Sequence, residues 1–144
     1  MLKDSVFLTQ TDTTVGFVSQ NASRLTQIKQ RPSYKYYIKA VNSLSTLKQF
    51  VRIPTLHKKN VRRAKATTFI MPNGDSYRII KDQHHLLLLN RLKWVYTTSA
   101  NLSNHTYNES FAKEAADVII TPLYHAKAPS SILKLGKIQQ RRVR

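Results

Sequence analysis

Asn73-Gly74 is the pair of residues that most limits what this chain can fold into. It stands between "ATTFIMP" (66–72) and "DSYRII" (75–80), two runs rich in β-branched and aromatic residues. An Asn-Gly pair in that setting is the strongest short-range signal for a β-hairpin, so the fold must contain an antiparallel strand pair here. On either side of it the chain alternates. "SVFLTQ" reads as a short strand, and a helix follows from near Asn21, with Ala22, Leu25 and Ile28 on one face. Pro32 disfavours helix at Arg31, so that helix ends near Lys29 or Gln30. "KYYIKAV" is a second strand, and "SLSTLKQFV" a helix capped by Ser43 with Leu44, Leu47 and Val51 on one side. Beyond the hairpin come a helix "DQHHLLLLNRL" capped by Asp82, a strand "KWVYTTSAN", a short helix "YNESFAKEAAD" and a strand "VIIT". "SSILKLGKIQQRRV" supplies one or two closing strands. An obligatory antiparallel pair inside an alternating chain predicts an α/β fold, a mixed and partly parallel sheet with helices packed on it. No internal repeat or linker divides residues 1–144, which read as a single domain.

Charge narrows the function. With 24 Lys+Arg against 7 Asp+Glu, the formal net charge is +17. A field of that sign attracts polyanions such as nucleic acid or nucleotides, and self-repulsion on this scale is destabilising unless one is bound. The charge is also clustered. "HKKNVRRAK" (57–65) carries Lys58, Lys59, Arg62, Arg63 and Lys65, a candidate RNA-binding patch whose plain alternative is a solvated surface, and "RRVR" adds three more cations at 141–144. The absence of cysteine excludes disulfides and thiolate zinc sites, and the five histidines have no metal-ligand spacing. No metal site built from protein ligands alone is expected. The longest apolar run, Leu86–Leu89, falls far short of the ~20 residues that cross a bilayer. No signal peptide is visible, so a cytoplasmic protein without membrane attachment is the expectation.

Three segments hold residues suited to chemistry. Gly16, Gly74 and Gly136 are the only glycines, so neither a Walker A loop nor a dinucleotide fingerprint exists, and any phosphate must be gripped by cations and hydroxyls. "IKQRPSYK" crowds Lys29, Arg31 and Lys35 around a proline-fixed bend. Cations at a helix C-terminus are ordinary, but three at one bend repel unless a polyphosphate is held there, with Arg offering a fork and Lys a point charge. "TTSANLS" (97–103) puts hydroxyls and an amide at a strand end, the place where α/β sheets bind ligands. It reads equally well as a turn satisfying its own backbone. In "SYRII", Arg78 interrupts an apolar strand; read alone it faces solvent, the alternative being an anion in a pocket.

In order and approximate spacing, "TQTDTTVGF", "IKQRPSYK", "YRI", "TSANLS" and "PSSILKL" resemble the YrdC-like threonylcarbamoyl-AMP synthases over nearly the whole chain. The most specific part is Lys29-x-Arg31 with Ser99-x-Asn101 downstream. The resemblance implies a twisted mixed sheet curved around a positively charged concave cavity. It implies synthesis of threonylcarbamoyl-AMP and pyrophosphate from L-threonine, bicarbonate and ATP, with magnesium brought by the ATP, for the N6-threonylcarbamoyladenosine of tRNA. Carried over residue by residue, Thr13, Arg78, Ser99 and Ser130 would bind threonine. Lys29, Arg31, Lys35, Asn101 and, by position, Arg141 would bind ATP. No protein nucleophile is needed, because the carbamate of threonine itself attacks the α-phosphorus. Asp12 would be structural or solvent-ordering, since a carboxylate aimed at phosphates opposes binding. Implied partners are tRNA or double-stranded RNA and the machinery that transfers the threonylcarbamoyl group. Against the family pattern, Gln10 replaces the opening proline, Val15 the aromatic before the glycine, "AKAT" (64–67) the "GPxT" turn, and Ile80 the proline of "RxP". Those departures leave an alternative: a non-catalytic module of the same fold that binds double-stranded RNA or tRNA.

Overall fold

Met71 and Asp75 close the expected hairpin. The Met71 N–H donates to the Asp75 carbonyl at 2.8 Å, and the Gly74 N–H donates to the Met71 carbonyl at 2.8 Å. Gly74 closes the three-residue loop at φ 92, a left-handed conformation that favours glycine. The computed structural model describes residues 2–32, 36–123, 129–136 and 139–144. Its strands are β1 (Phe7–Gln10), β2 (Val15–Ser19), β3 (Ile38–Val41), β4 (Thr67–Ile70), β5 (Ser76–Ile79), β6 (Trp94–Ser99), β7 (Val118–Ile119), β8 (Ser131–Leu135) and β9 (Gln140–Arg142). The helices are α1 (Ala22–Lys29), α2 (Leu44–Leu47), α3 (Lys58–Arg63), α4 (Gln83–Leu92) and α5 (Glu109–Ala115).

Among the described residues the strands form one sheet in the order β7-β1-β2-β6-β3-β5-β4-β8-β9. Pairs β1–β7, β3–β5 and β4–β8 are parallel and the others antiparallel. The sheet is mixed, as the hairpin requires.

Four of these five helices, all but α3, start where a side chain satisfies free N–H groups. Asn21 accepts from the Arg24 N–H, Ser43 from Thr46, Asp82 from His84 and His85, and Asn108 from Phe111. Helix α1 ends at Gln30, which turns left-handed at φ 52 just before Arg31 and Pro32.

Register assigns each helix to a face, because neighbours paired across strands point the same way and successive residues alternate. Tyr77, Lys39 and Tyr96 are paired across β5, β3 and β6, so they share one face. Below them Val41, Tyr77 and Ile79 pack with Leu47 of α2 and Val61 of α3, while Leu8, Val15 and Phe17 pack with Leu25 of α1 and Ala112 of α5. Arg78, Ala40 and Val95 are paired on the opposite face. There Phe7, Val18, Ala40 and Val95 pack with Leu89 of α4. One face therefore carries four helices and the other carries α4.

Two elements escaped the sequence pattern. "VGFVS" is a fully buried strand, β2. "HKKNVRRAK" contains a helix, α3, anchored by buried Val61 with its cations turned outward.

Candidate functional site

The α4-bearing face is open at the end of the sheet where β3 begins and β6 finishes. A hollow of about 360 Å³ lies there. Its walls come from the β1–β2 turn (Thr11, Thr13, Thr14), the end of β6 (Thr97 to Ser99), Arg78 of β5, Arg31 after α1, Ser130 before β8 and Arg144 after β9.

The opening turn is fixed by its own hydroxyls. Thr11 Oγ1 donates to the Thr14 carbonyl at 2.6 Å and accepts from the Thr13 N–H at 3.1 Å. Gln10 Nε2 donates to the Thr13 carbonyl at 3.1 Å. Gly16 lets this turn approach β6, since a Cβ there would stand 2.8 Å from the Thr98 carbonyl oxygen and 3.0 Å from Thr11 Cγ2. The turn thus holds Asp12 inward, where its carboxylate meets Nε of Arg78 at 3.2 Å, with both side chains buried.

From Arg78 a polar row crosses the floor. Arg78 Nη1 donates to Thr68 Oγ1 at 3.5 Å, and Thr68 Oγ1 and Ser130 Oγ share a hydrogen bond of 2.9 Å. Arg144 completes the row, its Nη2 donating to Ser130 Oγ at 3.1 Å and its Nε to the Ser130 carbonyl at 2.7 Å. Burial pulls the Arg78 pKa below the ordinary arginine value; Asp12 opposes that shift and Arg144 adds to it. Asp12 is the counter-ion that lets a buried guanidinium persist.

At the other wall, the Arg31 guanidinium lies 4.5 Å from the centroid of the Tyr37 ring, whose hydroxyl bonds to Thr26 Oγ1 at 3.0 Å. A guanidinium over an aromatic face is attracted by the ring's quadrupole, which favours this placement of Arg31. Lys29 is turned elsewhere. Its Nζ donates to the Ser99 carbonyl at 2.9 Å and to Asn101 Oδ1 at 3.3 Å, and its own carbonyl accepts from the Ser103 N–H at 3.2 Å. Burial, then the neighbouring charge of Arg31, lowers its pKa from 10.5 to about 8. Asn101 Nδ2 donates to the Leu102 and His105 carbonyls at 2.8 and 2.6 Å. The loop is tied down by Lys29 and Asn101, which leaves Ser99 on the wall.

A family model named Sua5_yciO_yrdC and described as "Telomere recombination" matches residues 1–144. The chain belongs to the Sua5/YciO/YrdC family.

The fold agrees with solved members of that family. P. abyssi Sua5 complexed with L-threonine superposes with a TM-score of 0.79 at 17% identity, covering 97% of this chain and 50% of that one. E. coli YciO gives a TM-score of 0.74 at 18% identity, covering 99% of this chain and 83% of that one. Among curated sequences, the uncharacterized protein MG259 of Mycoplasma genitalium is 36% identical over 102 residues, 67% of this chain and 21% of MG259. The chain thus spans about a fifth of that relative and half of the Sua5 structure.

In this Sua5/YciO/YrdC chain, five residues singled out from the sequence line one hollow: Thr13, Arg31, Arg78, Ser99 and Ser130. Arg78 does not face solvent, the reading its strand alone suggested; it is 4% exposed and paired with an anion. Lys29 and Asn101 stand behind the wall and bond to each other. Lys35 lies outside the described residues. Arg141, expected by position, is exposed on β9 and paired with Lys134, whereas Arg144 reaches the hollow. The reason is register: beyond β9 the Arg144 N–H bonds to the Ile132 carbonyl, which brings its side chain back over Ser130. Nothing in "RRVR" distinguished the three arginines. Thr11, Thr97 and Thr98 were likewise seen only as parts of polar runs.

Lys59, Arg62, Arg63 and Lys65 are exposed on and just after α3, and Lys58 is half-buried. Among the described residues, no group of three or more His, Asp or Glu side chains is placed to hold a metal ion, and no helix is long and apolar enough to cross a membrane.

Proposed function

We propose that this protein is an L-threonylcarbamoyladenylate synthase. The overall conversion is L-threonine, bicarbonate and ATP to threonylcarbamoyl-AMP, pyrophosphate and water, with magnesium carried in by ATP. The product would serve the N6-threonylcarbamoyladenosine modification of tRNA. The observation that carries this reading is the meeting of Arg31, Arg78 and Arg144 with Thr13, Ser99 and Ser130 in one hollow, drawn from six separate segments. Their family membership and the threonine complex of the Sua5 neighbour support it.

Chemically, the site needs to hold two anionic substrates together and neutralise charge that grows on the α-phosphate; positioning and fixed electrostatics suffice for that. Arg78, oriented by Asp12, is suited to the threonine carboxylate, with Thr13, Ser99 and Ser130 around the small substrate. Arg31 and Arg144, with Lys35, would take the phosphates. Lys29 and Asn101 would act by holding Ser99 in place. The test is threonine- and bicarbonate-dependent release of pyrophosphate from ATP by purified protein. Release that ignores threonine, or its absence, refutes the assignment.

A second reading is favoured by the exposed cations of α3: a module that binds double-stranded RNA or tRNA, with or without catalysis. Each phosphate neutralised contributes about −0.9 to the slope of log affinity against log salt. An RNA affinity that does not change with salt removes this second reading.

A further inference from the structure

Tyr77 and Tyr96 stand on the face of the sheet opposite Arg78, and Tyr36 and Tyr37, which also line the hollow, border the same cleft. This cleft of about 620 Å³ lies between α1 and the β4–β5 hairpin, lined among others by Tyr36, Tyr37, Tyr77, Tyr96, Lys39 and Gln27. Tyr77, Lys39 and Tyr96 are consecutive partners across β5, β3 and β6, so their side chains stand in a row on the floor. Lys39 is held there by rings: its Nζ lies 4.0 Å from the Phe50 centroid, 4.5 Å from Trp94 and 5.4 Å from Tyr96. Tyr36 stands over the cleft with 89% of its surface exposed. The threonine and ATP reading uses none of the residues on this floor.

Aromatic side chains on adjacent strands of one sheet face, with a cation between them, are suited to stacking unpaired bases. The cleft is within the volume range of small-ligand pockets. Charge supports the same occupant. Helix α3 packs on this same face, in the cluster that contains Tyr77, and turns Lys59, Arg62 and Arg63 to solvent. A strand whose phosphates run along α3 lies on the face of the sheet that carries the cleft.

We propose that this cleft binds an unpaired nucleobase of an RNA strand whose backbone lies on α3. The inference rests on the RNA-binding reading of α3 and adds a recognition site to it. Duplex RNA would contact α3 and leave the cleft empty, since its bases are stacked and paired; single-stranded RNA would engage both.

The experiment is fluorescence anisotropy with a labelled single-stranded oligoribonucleotide and with the duplex of the same sequence, on wild type, Tyr96→Leu, Tyr96→Phe and Arg62→Ala. Thermal melts confirm that each variant folds, and Tyr96→Phe keeps the ring if Tyr96→Leu does not fold. Loss of the Tyr96 ring should weaken single-strand binding about tenfold. Duplex binding should not change, and Tyr96→Phe should behave as wild type. Arg62→Ala should weaken both and lower the salt slope by about one unit. Equal affinity of Tyr96→Leu and wild type for the single strand overturns the cleft proposal while leaving RNA binding by α3 in place, and so does a weakened Tyr96→Phe. Absence of binding to either RNA overturns both. A free mononucleotide that competes fully with the oligonucleotide overturns the assignment to an RNA strand. If Tyr96→Leu is unfolded, a Tyr36→Leu variant, at an exposed residue of the cleft, gives the same reading.

Discussion

The Asp12 carboxylate sits 3.2 Å from Nε of Arg78, and the two side chains are 6% and 5% exposed. This pair answers why a basic chain places a lone carboxylate in its first hydroxyl-rich turn. Without it, Arg78 would be a buried guanidinium facing Arg144 across Thr68 and Ser130.

Removing one partner of such a pair leaves an uncompensated charge, which costs about 3–5 kcal/mol. Asp12→Ala should therefore lower the denaturant midpoint strongly. Asp12→Ala combined with Arg78→Met should recover much of the loss. A double variant no more stable than Asp12→Ala would contradict the pairing.

Lys29 makes stability depend on alkaline pH. Its pKa falls from 10.5 in the unfolded chain to about 8 in the fold, through burial and then Arg31. Between these values the unfolded state holds the extra proton, so raising pH favours the folded state. Below about pH 8 both states are protonated and the contribution is flat. Wild type should gain stability relative to Lys29→Met as pH climbs from about 8 to 10.5. Urea melts of the two proteins that stay parallel across this window would refute the shift.

Gly16 is a steric requirement rather than a flexible joint. A methyl group there meets the Thr98 carbonyl oxygen at 2.8 Å, and backbone on a central strand cannot easily yield. Gly16→Ala should cost about 1–3 kcal/mol, typical of overpacking. Because the strain falls on Thr98 and Thr11, ligand affinity of the hollow should fall as well. A neutral substitution, measured by thermal melt, would mean that β2 and β6 are farther apart.

Arg144 and Arg141 separate the hollow from the general field of the chain. Each substitution to alanine removes one positive charge. Only Arg144 bonds to Ser130 and lines the hollow, whereas Arg141 is exposed on β9. Arg144→Ala should weaken ATP roughly tenfold or more, the worth of a charge-assisted hydrogen bond. Arg141→Ala should change it little at moderate salt. Titration calorimetry decides; equal losses would make the effect one of net charge.

Much of the fold was legible because local chemistry set it. Ser43 and Asp82 announced their helices as capping residues, Asn21 marked the start of another, and Asn73-Gly74 announced the hairpin. What was hidden depended on distant partners. Strand β2 is short, glycine-containing and flanked by hydroxyls, so its burial between β1 and β6 left little trace in composition. In α3 a single buried residue, Val61, sits among cations, and a charge run masks one apolar anchor. Within the site, the motif residues Arg31 and Ser99 were readable, as was Lys29, but its direction was not. Whether a lysine reaches a ligand or a neighbouring loop is decided by the fold around it. The same holds for Arg144, which only strand register selects from "RRVR".

The central claim is that Arg31 and Arg144 grip a nucleotide beside a threonine held by Arg78, without any glycine-rich loop. Calorimetric titration of ATP with magnesium, with and without saturating threonine, on wild type and Arg31→Ala tests it most directly. Wild type should bind ATP more tightly when threonine is present, and Arg31→Ala should bind it roughly 10- to 100-fold more weakly, the range for a lost hydrogen bond to a charged group. ATP affinity unaffected by both threonine and Arg31→Ala would contradict the account.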